Sequence, residues 1–151
     1  MLTQIIDYLH AMEEPATAPW GLRISDADLE KLEAGFEPQD QDDKWRVSAT
    51  YQPISIHITR FATGKEFYIL HVVVKPGDDD SSSSSVEIEA ITWEQNLGEI
   101  HISEEQAKKE VLMITIGLLE CDFDALSEDY INNLWNHPAT HVKATNVSFL
   151  P

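Results

Sequence analysis

Between Trp45 and Thr92 lie several runs in which apolar side chains recur at every second position, and no other feature of this chain limits its fold so tightly. Trp45, Val47 and Ala49 alternate with Arg46, Ser48 and Thr50, and Ile54, Ile56 and Ile58 alternate with Ser55, His57 and Thr59. A period of two sends one set of side chains to a buried sheet face and the other toward water. Tyr51-Gln52-Pro53 between the runs reads as a turn. Glu66 to Lys75 reads as a third strand, and its apolar run Phe67 to Val74 suits a central place in a sheet. Thr63-Gly64-Lys65 is the turn before it. Val86, Ile88, Ala90 and Thr92 alternate with Glu87, Glu89 and Ile91 in a fourth strand. Short links at most junctions predict an antiparallel meander.

Pro76 to Ser85, Pro-Gly-Asp-Asp-Asp followed by five serines, reads as a solvated hairpin loop. Asp78, Asp80, Ser82, Ser84 and Glu89 fall at the ligand positions of a calcium-binding loop. Ser83 stands where that loop requires glycine, and strands flank it instead of helices, so the linker reading is preferred.

The ends of the chain carry the helical period. Leu2, Ile5, Ile6, Leu9 and Met12 predict an amphipathic helix, and Pro15 and Pro19 then predict a connector over Glu13 to Leu22 with Trp20 as its anchor. Ser25 with Asp28 three residues on resembles a capping box and opens a helix to about Ala34, stopped by Gly35 and Pro38. Ser103-Glu104-Glu105-Gln106 caps a helix running to about Glu120. Its stretch Val111 to Leu119 is apolar nearly all round, so it is buried on more than one side or meets a second copy, and a homodimer through 111–119 is one option. A last helix is expected over Asp124 to Trp135, and Thr145 to Leu150 as an edge strand. The fold class is α+β: one domain over 1–151, with a single antiparallel sheet of four to five strands packed against three to four helices and a flexible acidic, serine-rich loop at 76–85.

Composition supports a packed core, with 42 % apolar residues and four Trp in 151 residues. Cys121 is the only cysteine, which excludes an internal disulfide and any multi-cysteine zinc site. No apolar run reaches the roughly 20 residues of a membrane span. Met1 to Glu14 lacks the positive start of a signal peptide and contains Asp7, so a soluble, cytoplasmic protein is expected.

Charge is the second strong feature: 27 acids against 10 Lys and Arg, a net −17. The acids are bunched. Asp26, Asp28, Glu30, Glu33, Glu37, Asp40, Asp42 and Asp43 share their segment with one cation, Lys31, and from Glu110 to Val142 there is no Lys or Arg. Glu120, Asp122, Asp124, Glu128 and Asp129 lie in that second segment. Such a field repels nucleic acid and acidic membranes and steers basic surfaces inward.

Catalytic signatures are weak. No glycine-rich phosphate loop, nucleophile elbow or HExxH occurs. Cys121 sits among Glu120, Asp122 and Asp124, which disfavour a thiolate. His137 and His141 have chelating spacing, but Pro138 separates them and no third ligand is near, so neither a metal nor a cofactor is expected. His57 and His71 fall within strands and have no evident nucleophile. Arg60 has two readings, an anion pocket made with turn amides or a structural ion pair, and the ion pair is preferred.

The string Phe36-Glu37-Pro38, Asp42-Asp43-Lys44-Trp45, Arg60 with Thr63-Gly64, and Phe67-Tyr68 resembles an uncharacterised family of small acidic proteins with an Asp-Asp-x-Trp approach to a sheet and an Arg-Ser-Trp-Thr-Gly turn. Here Phe61-Ala62 replaces Ser-Trp, and the likeness covers about residues 25 to 75. It implies no activity, and it draws attention to Arg60, Thr63 and Gly64. The leading expectation is a non-enzymatic protein that engages a basic partner surface through the thirteen acids named above, as an inhibitor, immunity-type protein or nucleic-acid mimic would. The alternative is a small enzyme or ligand-binding domain with a sheet–helix pocket around Trp45, His57, Arg60, Thr63, Gly64 and Tyr68.

Overall fold

The computed structural model describes residues 12–40, 42–76, 85–97 and 100–134. The expected helix over Leu2 to Met12 (Met12 apart), the loop residues 78–84, His137, His141 and the expected strand Thr145 to Leu150 lie outside them. Among the described residues ten elements follow one another: β1 (Pro15–Ile24), α1 (Asp26–Ala34), β2 (Trp45–Thr50), β3 (Ser55–Arg60), β4 (Glu66–Lys75), β5 (Ser85–Glu94), β6 (Asn96–Leu97), β7 (Ile100–His101), α2 (Glu104–Leu119) and α3 (Glu128–Leu134).

Strands β2 to β5 form the meander that their alternation predicts. The sheet order is β1-β5-β4-β3-β2, every pairing is antiparallel, and β6 and β7 form a separate two-stranded ladder. One face carries Val47, Ile56, Ile58, Leu70, Val72, Ile88, Ile91 and Trp93, all buried. They share a single core with Leu32 of α1, Val111 to Ile114 of α2, Phe123 and Leu134. Full burial of each such aliphatic or aromatic side chain contributes about 1.5–3 kcal/mol. The fold is α+β, with a five-stranded antiparallel sheet and three helices among the described residues.

The segment expected as a connector is instead the edge strand β1, paired with β5 from Pro15↔Glu94 to Ile24↔Val86. Proline lacks a ladder donor, and an edge strand tolerates it because the missing N–H can point away from the neighbour. Trp20 anchors this strand to α2: the Lys108 ammonium sits 5.5 Å from the indole centroid and donates to the Pro19 carbonyl at 3.0 Å.

At the opposite edge, Phe36 covers β2 by exchanging backbone hydrogen bonds with Val47 (3.0 and 3.1 Å). Helix α1 reaches that position through Gly35, whose φ of 70° and ψ of −166° are open only to glycine. A Cβ there would stand 2.2 Å from the Val47 carbonyl oxygen.

Helix α2 begins on the capping box read from the sequence, with Ser103 Oγ accepting from Gln106 N and Gln106 Oε1 accepting from Ser103 N. Five consecutive residues, Val111 to Thr115, are buried, and Thr115 satisfies its hydroxyl on the Val111 carbonyl at 2.8 Å. Only Ile116, Gly117 and Leu118 of 111–119 reach the surface, so those three are what this stretch offers a second copy. Helix α3 is shorter than expected. The chain turns at Phe123, where Leu126 N donates to its carbonyl, and the helix is capped by Ser127, whose Oγ accepts from Tyr130 N at 3.0 Å.

Gly35→Ala should destabilise the protein by about 3 kcal/mol or more, combining left-hand strain with overpacking against β2. Gly21→Ala, also at positive φ but with its nearest foreign atom 4.0 Å from the new Cβ, should cost about 1–2 kcal/mol. Urea unfolding of both variants measures the difference.

Candidate functional site

Helix α1 presents its acids in two directions. Asp26, Glu30 and Glu33 share one stripe by their four- and three-residue spacing, while Asp28 and Leu32 point inward and are fully buried. The Asp28 backbone N–H donates to the Ser25 cap, but its carboxylate does not return to complete a box. It reaches the segment after α2 instead, accepting from Asp122 N at 2.9 Å and Phe123 N at 2.8 Å. Those amides are available because Glu120 ends α2 in the left-handed conformation (φ 61°) and turns the chain back toward α1. Lys31 seals the junction with a 2.7 Å hydrogen bond to the Glu120 carbonyl, its ammonium 3.9 Å from the Asp122 carboxylate.

The two acid-rich segments, nearly a hundred residues apart in sequence, are therefore neighbours. Asp26 and Glu30 of the first segment, and Glu120, Asp122 and Asp124 of the second, are exposed, while Glu33 is half-buried beside Tyr51. Two of the thirteen acids expected at an interaction surface are not on it. Asp28 is internal, and Asp43 is buried with its carboxylate accepting from Gln39 N (2.6 Å) and Asp40 N (3.4 Å). Both are desolvated because neighbouring amides supply what water would. Glu37, Asp40 and Asp42 belong to the loop before β2, where Glu37 pairs with Arg46 at 2.7 Å and Asp40 Oδ1 accepts from Asp42 N. Glu128 and Asp129 lie exposed in the first turn of α3.

Cys121 is buried beneath this junction. Desolvation first, then the Asp28 carboxylate, pushes its thiol up to about 12. At pH 8 that leaves a thiolate fraction of about one in ten thousand. A disulfide reagent such as DTNB should leave Cys121 unmodified in the folded protein and titrate one thiol per chain after denaturation.

The expected sheet–helix pocket is divided by strand alternation. Arg60 stands opposite Trp45 and shares the buried face with Tyr68, whereas His57 stands opposite Ser48 on the other face. Trp45, His57, Arg60 and Tyr68 cannot line one cavity. The Tyr68 hydroxyl donates to Glu110 of α2. Its pKa is held well above the usual value by burial and then by the Glu110 charge, with Arg60 opposing weakly. Gly64 N donates to the Arg60 carbonyl at 2.7 Å and Lys65 N to Thr63 Oγ1 at 3.2 Å, so these turn amides are occupied.

Arg60 also departs from the preferred ion pair. Among the described residues no carboxylate lies within 4.0 Å of its guanidinium, which instead rests 4.9 Å from the Trp45 ring centroid. An open cleft of about 380 Å³ lies beside it, lined by Asp43, Lys44, Arg60, Phe61 and Ala62.

His57 has partners that the sequence did not reveal. Thr50 Oγ1 lies 2.8 Å from Nε2, and Nδ1 is bonded to Glu66. The order hydroxyl, imidazole, carboxylate is that of a proton relay. Thr50, however, is exposed at the end of an edge strand, where water competes for its hydroxyl, so the network reads as a polar fastening of β2, β3 and β4. Nearby, His71 Nε2 lies 2.7 Å from Thr92 Oγ1, which lies 2.7 Å from Thr17 Oγ1. Burial, then the proximity of His57, lowers the His71 pKa, while Glu89 acts in the opposite direction. Cross-strand register made these contacts, and only the pairings Ser48↔His57 and His71↔Ala90 would have exposed them.

Glu94 closes the end of the sheet where β5 ends and β1 begins. Its buried carboxylate accepts from Glu13 N (2.7 Å), Glu14 N (2.8 Å) and Asn96 N (3.3 Å) and lies 3.3 Å from Lys65 Nζ. Desolvation pushes its pKa upward, but these donors together outweigh it, and the group titrates below its ordinary 4.5. A depressed carboxylate stabilises the fold fully above the unfolded pKa and loses that contribution as pH falls through the folded one. Glu94→Gln should cost about 1.5–3 kcal/mol at pH 7. The gap between variant and native protein should close as pH drops below about 4, which urea titrations at several pH values measure.

Among the described residues, no three potential metal-ligating side chains converge, and no helix is long and apolar enough to cross a membrane. No family model, curated protein or solved structure matches the chain. No residue role comes to this α+β domain from a relative.

Proposed function

We propose that the protein is a non-enzymatic acidic binding module that engages a basic surface of a partner protein, in the manner of an inhibitor, an immunity-type protein or a nucleic-acid mimic. The observation that carries this reading is the junction of α1 with residues 120–124, where Asp28 and Lys31 hold two acid-rich segments side by side. Tying two acid-rich segments together concentrates charge in one part of the molecule, which sets up a local potential that a net charge of −17 spread evenly would not. Their repulsion is borne by two internal fastenings, a buried carboxylate on backbone amides and one lysine. The contact would be fast to form and sensitive to salt, because rim charges act chiefly on association. A direct role on nucleic acid or on an acidic membrane is disfavoured by the same field.

Neutralising the face separates this reading from general acidity. A variant carrying Asp26→Asn, Glu30→Gln, Asp122→Asn and Asp124→Asn should lose affinity for a captured partner by about tenfold or more, mainly through a slower on-rate. A control removing two charges elsewhere, Glu87→Gln with Glu89→Gln, should bind as the native chain does. Native binding should weaken between about 50 and 500 mM salt. Equal loss in face and control variants, or binding indifferent to salt, contradicts the proposal.

A further inference from the structure

Although the chain carries 27 carboxylates, half-exposed Arg60 pairs with none of the described ones. The cations near Arg60 have protein partners: Arg46 holds Glu37, and Lys65 holds Glu94 and Glu13. The side chain of Arg60 makes no hydrogen bond to any described acceptor, although a guanidinium carries five donors. Its position is nevertheless fixed. The guanidinium lies over Trp45, 4.9 Å from the ring centroid, and Trp45 is buried and packs against Phe67 and Tyr68 at ring separations of 5.8 and 5.9 Å. A cation–π contact uses the guanidinium's charge and leaves its N–H groups for an acceptor.

The cleft beside it suits such an acceptor. Lys44 brings a second positive charge to its wall. The one carboxylate there, Asp43, is buried and committed to the Gln39 and Asp40 amides. Phe61, 37 % exposed, and Ala62 make the rest of the lining apolar. Phe61 is held in place by its N–H on the Lys44 carbonyl (2.8 Å) and by the Arg46 guanidinium 5.7 Å from its ring centroid. A volume of about 380 Å³ falls within the range of small-ligand sites.

We propose that this cleft binds a small organic oxyanion, a carboxylate or phosphate carried on an aromatic or other flat apolar group. The oxyanion accepts a bidentate hydrogen bond from Arg60 with Lys44 in support, and the apolar group lies against Phe61. The site is separate from the acidic face and does not depend on it.

Phenyl phosphate and benzoate are the probes, with phenol and inorganic phosphate as half-ligand controls, titrated into the full chain labelled with nitrogen-15. Saturable shifts are expected at the amides of Lys44, Trp45, Phe61 and Ala62, with phenyl phosphate or benzoate binding more tightly than either control. The tighter of the two probes assigns the anion as phosphate or carboxylate. Arg60→Gln should weaken binding about tenfold or more. Arg60→Lys, which keeps the charge but loses the planar fork, should weaken it several-fold. Lys75→Gln, at the far end of β4, should change nothing. Absence of saturable shifts at about 20 mM of both probes, shifts that map away from the cleft, or native affinity in Arg60→Lys would overturn the proposal. The lysine variant alone decides the matter if the glutamine variant does not fold.

Discussion

A single buried carboxylate, that of Asp28, fixes how the two acid-rich segments of this protein meet. Two backbone N–H groups, of Asp122 and Phe123, point at it from a segment that has just left a left-handed helix cap. Without an acceptor, amides turned inward cost about 1–3 kcal/mol each, and a buried carboxylate without donors costs more. Each solves the other's problem. The result fastens α1 to the end of α2 and seats Phe123 in the core, while Asp26, Glu30, Glu120, Asp122 and Asp124 stay on the outside.

The same device recurs at the other end of the sheet. Glu94 gathers the amides of Glu13, Glu14 and Asn96 and the Lys65 ammonium, and Asp43 gathers those of Gln39 and Asp40. A chain this acidic spends its internal carboxylates on backbone donors, which carry no competing charge of their own. Its scarce cations then serve as local seals, as Lys31 does at the α1–α2 junction and Lys65 beside Glu94. Arg60 is anchored differently. It is held by an indole instead of a carboxylate, which is why it stands at the cleft with its donors uncommitted to the described residues.

Much of the architecture was legible from the residues because period-two alternation and helix caps are local signals. The four-strand meander and the Ser103 cap follow from neighbours along the chain. Strand β1 was not legible, because Pro15 and Pro19 read as breakers, and their tolerance on an edge depends on which side β5 lies. The start of α3 lies beyond the expected Asp124, because the cap is Ser127. The candidate surface was half legible. Bunching of acids is visible in the sequence, but the burial of Asp28 and Asp43 depends on distant or turn amides that no spacing encodes. The separation of His57 from Arg60 was in principle readable, since residues three apart on a strand face opposite sides. The partners of His57 needed the register.

The central claim is that Asp28 fastens the two acid-rich segments to each other. Amide hydrogen exchange on the native chain and on Asp28→Asn tests it most directly, since the substitution keeps the shape and removes the charge and one acceptor. If Asp28 is the fastening, exchange at Asp122 and Phe123 should accelerate by about tenfold or more, with parallel loosening at the end of α2 and little change in β3 and β4. Unchanged protection at Asp122 and Phe123, or acceleration spread evenly over the whole sheet, would contradict it.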